Sequence, residues 1–172
     1  MSCLLLLPVL LLSGFDFGGR VGAAFPGGGL ATFHGSPALF GANVGYSAGR
    51  SRFELGYTFA GLPGRQASAY HMDIHEATLT YGYEFLRRPS WGFEATVGPG
   101  YGLARRSFLS GAETGKAPSG HLGLGFVQHQ GPSRLSLGLD NAVFIESAES
   151  GTTSRVALTY LFSIHAGVAY AF

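Results

Sequence analysis

From Phe15 onward the chain alternates apolar and polar positions, the period of two expected of strands whose successive side chains face opposite sides of a sheet. Residues 156–172 hold one phase throughout: Val156, Leu158, Tyr160, Phe162, Ile164, Ala166, Val168, Tyr170 and Phe172 share one face, and Ala157, Thr159, Ser163, His165 and Gly167 the other. The same rhythm predicts seven more strands, at about 15–25, 38–48, 52–60, 71–86, 91–106, 119–130 and 133–146. Their apolar faces carry residues such as Phe40, Val44, Phe53, Leu55, Leu79, Tyr81 and Leu137, whereas the opposite faces, with Gly41, Asn43, Glu54, Thr58, Thr80 and Glu84, are small or polar.

The connections alternate as well. Those near 26–37, 61–70, 107–118 and 147–153 are longer and rich in Gly, Ser, Ala and Pro, while those at 49–51, 87–90 and 131–132 are tight. Long external loops and short periplasmic turns alternate in this way in transmembrane barrels. The prediction is an all-β, closed, eight-stranded, antiparallel up-and-down transmembrane β-barrel with both ends on the periplasmic side. At roughly 3.3 Å per residue, outward aromatics fall into two rims. Phe15, Phe17, Phe53, Tyr83, Phe85, Trp91, Phe93, Tyr170 and Phe172 mark the periplasmic one, and Phe25, Phe40, Phe59, Tyr101 and Tyr160 the external one.

Composition agrees with a lipid-facing exterior. Charged residues are only 12% of the chain, although 46% is hydrophobic and Gly supplies 28 of 172 residues. That is too little charge for an ordinary wet surface. No run reaches the ~18 apolar residues of a spanning helix; the longest, Cys3 to Leu12, reads as the core of a secretory signal over 1–14, without a basic residue before Leu4 or a clean small-x-small cleavage site. The barrel is assigned to 15–172. A soluble lipocalin-type barrel would place its apolar face inward, against the side on which these strands carry charge. The formal net charge of +1 comes from dispersed residues, which leaves no basic face for nucleic acid. The lone Cys3 excludes an intrachain disulfide or a cysteine zinc site.

The terminal pattern Ile164, Ala166, Val168, Tyr170, Phe172 resembles the assembly signal of bacterial outer-membrane proteins, and Phe15-Asp16-Phe17-Gly18-Gly19-Arg20-Val21-Gly22 resembles the first strand of the OmpA/OmpX-type β-barrel superfamily. The resemblance covers 15–172. It implies a Gram-negative outer-membrane location, outer-membrane lipid and lipopolysaccharide as surroundings, delivery by the barrel-assembly machinery and a monomer. It implies little about activity, because such barrels include anchors, adhesins, narrow pores and lipid-modifying enzymes.

Inward charges gather in the periplasmic half: Asp16, Arg20, Arg52, Glu54, Glu84, Glu94, His129 and Arg134. Eight strands enclose room for little more than side chains, so these groups are expected to form an ionic plug, with a gated narrow pore as the alternative. Nearer the outside, Glu76, His121, Asp140, Glu146 and His165 face inward with no nucleophile expected beside them, and a catalytic role is not assigned. His71 and His75 stand about 13 Å apart on a strand, too far to share a metal directly, although either could share one with Asp73 between them. Arg105, with Arg106, Arg65, Lys116 and Arg155 at similar height, is placed to contact lipopolysaccharide phosphates. Pro99 is expected to produce a bulge, and proline-weakened strand pairs form lateral lipid portals in some lipid A acyltransferase barrels. His34-Gly35-Ser36 is similar to the His-x-Ser of lipid A deacylase barrels but falls in a loop. The expected function is a non-enzymatic structural or surface-interaction role through the external loops, with no cofactor or metal; the alternatives are a lipid A-modifying enzyme and a narrow solute pore.

Overall fold

The computed structural model describes residues 14–64, 71–108, 111–150 and 153–172. The expected signal segment, apart from Gly14, lies outside the described residues, as do Arg65 and the side chains of Glu146 and Arg155. The elements are β1 (Phe15–Gly27), α1 (Gly29–Phe33), β2 (Ala38–Ala48), β3 (Ser51–Leu62), β4 (His71–Arg87), β5 (Trp91–Phe108), β6 (Gly111–Gln130), β7 (Ser133–Ser150) and β8 (Thr153–Ala171). Each strand pairs antiparallel with its sequence neighbour, and β1 pairs with β8 from Asp16↔Ala171 to Gly27↔Tyr160, which closes the cylinder.

Side-chain direction is the decisive observation. Leu122 and Leu55 are 66% and 62% exposed on the outside, whereas Arg52, Glu84 and Glu94 are each 6% exposed inside. A water-soluble barrel has the reverse arrangement, so this exterior fits hydrocarbon. At the rim of the tight turns, the one expected to face the periplasm, Trp91 stacks on Phe126 and meets Phe93 edge-on, and Phe15 leans on Tyr46. At the external rim Phe25 contacts Phe162. Two of the tight turns begin with Gly49 (φ +64°) and Gly131 (φ +60°), a backbone region in which a side chain would be strained.

The structure corrects four expectations. The connections expected at 107–118 and 147–153 are mostly strand: β5 and β6 pair as far as Phe108↔Gly111, and β7 and β8 as far as Ser150↔Thr153. Ladder hydrogen bonds to a neighbour carry these segments upward without apolar residues to mark them. The first external connection contains α1, too short to show a helical period.

Pro99 makes no bulge. Thr78↔Gly100 and Tyr81↔Val97 flank it in one register, with Leu79 and Thr80 unpaired to β5 between them; the register shift lies instead between Glu84 and Leu86. Finally, the external third of the lumen is apolar. Leu30 of α1 turns into the mouth beside Leu39, Leu62, Met72, Ile74, Phe144 and Leu161, all buried in one cluster.

Candidate functional site

The lumen is layered from the end that carries the tight turns toward the end that carries the long hairpins. The first layer is ionic. Arg52 on β3 grips Asp16 on β1 with Nε and Nη2, at 3.2 and 2.6 Å, and its Nη1 pairs with Glu54, which also accepts from Asn43 Nδ2 at 3.1 Å. Gly45 lies beneath this fork: a Cβ there would stand 2.6 Å from Asp16 Oδ1. Glu84 and Glu94 face each other across β4 and β5, and His129 faces Arg134 across β6 and β7. The two cross-strand pairs contact each other across the lumen. His129 Nε2 lies 3.2 Å from Glu84, Arg134 Nη2 lies 2.8 Å from Glu94, and Arg87 also approaches Glu84 at 3.5 Å. Arg20 departs from the expected network: its Nη2 donates to Thr58 Oγ1 at 2.6 Å, not to a carboxylate.

Above this layer are voids of about 80 and 20 Å³, room for a few waters. His165 and Arg20 line both. Beside them is a second polar cluster in which His121 bridges two carboxylates, Nε2 to Glu76 at 2.8 Å and Nδ1 to Asp140 at 2.9 Å. Sequence reasoning expected no nucleophile here, yet Ser119 Oγ donates to Glu76 and lies 3.5 Å from His121 Nε2. The signal was present in Ser119-x-His121, two positions on one face of a strand, but Ser119 fell at the predicted end of β6. Gly100 provides the space, since a Cβ there would lie 2.8 Å from Glu76 Oε1 and 3.1 Å from His121 Nε2.

The cluster has the residue types of a Ser-His-Asp triad without its working geometry. Nε2, which a general base would turn toward serine, is taken by Glu76 at the shorter distance. The two voids that His121 and Asp140 line, of about 80 and 20 Å³, have room for a few waters. The apolar cluster closes the lumen above.

Outside the barrel, His71 Nε2 and Asp73 Oδ1 are 2.9 Å apart, while His75 Nδ1 turns away to Tyr57 Oη at 2.6 Å. The His-x-Asp-x-His spacing therefore does not converge on one point. Arg105 is the cross-strand partner of Asp73, and Lys116 is diagonal to Arg105.

His34, in the connection after α1, is 0% exposed. Burial pushes its pKa below the ordinary 6.5, helped by the charges of His71 and Arg106 and opposed by hydrogen bonding at the Leu62 and Pro63 backbone. The folded protein therefore binds this proton more weakly than the unfolded chain, and the first external connection is expected to lose stability as pH falls through and below 6.5. Limited proteolysis within 28–37 should be faster at mildly acidic than at neutral pH, and His34→Gln should flatten the difference. Equal cleavage of the wild type at both pH values refutes this.

No protein-family model matches the chain, and no curated protein matches it in sequence. Solved structures do match in fold. Neisserial surface protein A superposes with a TM-score of 0.75 at 16% identity, over 93% of this chain and 98% of its own. Ail, the attachment invasion locus protein of Yersinia pestis, gives 0.60 at 12% identity, over 93% and 99%. The N-terminal β-barrel domain of OprF from Pseudomonas aeruginosa gives 0.56 at 12% identity, over 91% and 97%. These are eight-stranded outer-membrane barrels of the OmpA/OmpX type, and the chain has their fold.

Proposed function

We propose that this protein is a non-enzymatic, monomeric barrel of the Gram-negative outer membrane, delivered by the barrel-assembly machinery, which supports the membrane and meets its partners through the external hairpins and rim. The observation that carries the reading is the double seal of the lumen. Paired charges cross the periplasmic half, and Leu30, Leu39, Leu62, Met72, Ile74, Phe144 and Leu161 fill the external mouth. A solute would have to break buried ion pairs and then displace packed hydrocarbon. With the inside closed, the surfaces left for interaction are the hairpins β5–β6 and β7–β8, which rise beyond the cylinder.

Three measurements test this. Unboiled, detergent-folded protein should migrate differently from boiled protein, and planar bilayers containing it should stay silent at acidic, neutral and alkaline pH. Stepwise conductance would overturn the sealed-lumen reading. Fatty-acid release or transfer when the barrel is incubated with radiolabelled lipid A, abolished by Ser119→Ala, would overturn the non-enzymatic one.

A further inference from the structure

The outer wall carries its described external-level charge on one sector. Along β5 the outward column runs Val97, Tyr101, Leu103 and then Arg105; along β6 it runs Leu124, Leu122 and then Lys116. Apolar contact therefore gives way to cations at matching heights on adjacent strands. Arg105 is opposite Thr114 and Lys116 opposite Leu103, which makes the two cations diagonal neighbours, roughly 7–8 Å apart along the sheet and somewhat less at Cβ. The carboxylate that could neutralise Arg105 is Asp73 beside it on β4, but Asp73 Oδ1 is held by His71 Nε2 at 2.9 Å. Arg105 and Lys116 are both exposed, and neither forms an ion pair or side-chain hydrogen bond among the described residues.

We propose that this sector of β4, β5 and β6 is a binding site for a glycolipid bearing phosphate monoesters, with Arg105 and Lys116 holding the phosphates and the Val97–Tyr101–Leu103 column lying along the acyl chains. The assignment rests on the outer-membrane reading above, which places this height at the headgroups of the external leaflet. A guanidinium offers a planar fork to phosphate oxygens and an ammonium offers a point charge. Two cations this far apart suit a doubly charged monoester, or two phosphates on one sugar backbone, better than the single charge of a phosphodiester lipid. Any acyl chain at this wall finds apolar side chains directly below the charges.

The test is native mass spectrometry of the detergent-folded full chain titrated with bisphosphorylated lipid A, with the same lipid dephosphorylated, and with phosphatidylglycerol. Wild type should bind the bisphosphorylated form in preference to both others. Arg105→Ala/Lys116→Ala should weaken that binding about tenfold or more, the loss of at least one charge-assisted contact, while Arg50→Ala at the periplasmic β2–β3 turn should leave it unchanged. Equal binding of phosphorylated and dephosphorylated lipid overturns the assignment, and so does an unaffected double variant. Equal binding of phosphatidylglycerol also overturns it, in favour of a general anionic-lipid surface. Boiled and unboiled gel mobility separates the two levels: a normal shift with failed lipid discrimination sinks this site alone, and a wild type without a shift sinks the membrane reading beneath it.

Discussion

Arg52→Ala is expected to lower the unfolding free energy by about 3–5 kcal/mol, because it removes one partner of a buried ion pair and leaves the other charge uncompensated. Asp16, 6% exposed, accepts both Arg52 Nε and Nη2 and would keep no cationic partner among the described residues, while Glu54 would retain Asn43. Loss of the heat-modified gel band at a markedly lower temperature is the readout. The cause is distinguishable from lost packing by a double-mutant cycle: Asp16→Ala combined with Arg52→Ala should cost less than the sum of the single changes, since the pair is then removed together. An additive cycle, or an unchanged unfolding temperature for Arg52→Ala, would show that the fork contributes nothing to stability.

Gly22→Val is expected to prevent closure altogether. Gly22 faces His165 across the seam between the first and last strands, and a Cβ there would meet the Ile164 carbonyl oxygen and stand 2.8 Å from His165 Cα. Both obstacles are backbone, so no rotamer change relieves them, and the seam must part at the one junction the chain makes between its two ends. An open edge within hydrocarbon leaves polar backbone groups unsatisfied at several kcal/mol each. The variant should therefore give no heat-modifiable species on refolding into detergent. Gly120→Ala is the matched control, because a Cβ at Gly120 meets nothing within 4 Å. Normal folding of Gly22→Val would overturn the tight-seam interpretation.

The cylinder itself was legible because one physical signal repeats in every strand. Positions such as Phe40, Leu55, Leu79, Leu137 and Val168 share an outward phase, and the inward position of Asp16, Arg52, Glu84, Glu94 and Arg134 follows from the same parity. Partner choice was not legible. Whether Arg20 meets a carboxylate or Thr58 depends on register and tilt between strands 38 residues apart, which no local pattern encodes.

The apolar mouth was hidden for a different reason. Leu39, Leu62, Phe144 and Leu161 occupy the inward phase of strands whose outward phase is also small or apolar at that height, so alternation fades there, and on β4 it inverts, with Met72 and Ile74 inward between outward His71, Asp73 and His75. The raised hairpins were hidden by composition. Residues 111–118, Gly-Ala-Glu-Thr-Gly-Lys-Ala-Pro, look like a loop and are strand because β5 is already there to pair with.

The ladder between β6 and β7 begins at Ser119↔Phe144, whereas β6 continues upward to Gly111 and β7 to Ser150. Above that fork the two hairpins are separate ribbons, and each offers a free backbone rim of the kind that zips onto another copy and seeds aggregation. Pro118 sits at the fork, with Lys116 and Glu113 further along the same rim. Proline withholds a donor, and charge resists burial between stacked chains. The molecule can therefore raise strand well above its cylinder while discouraging other copies from adding to it.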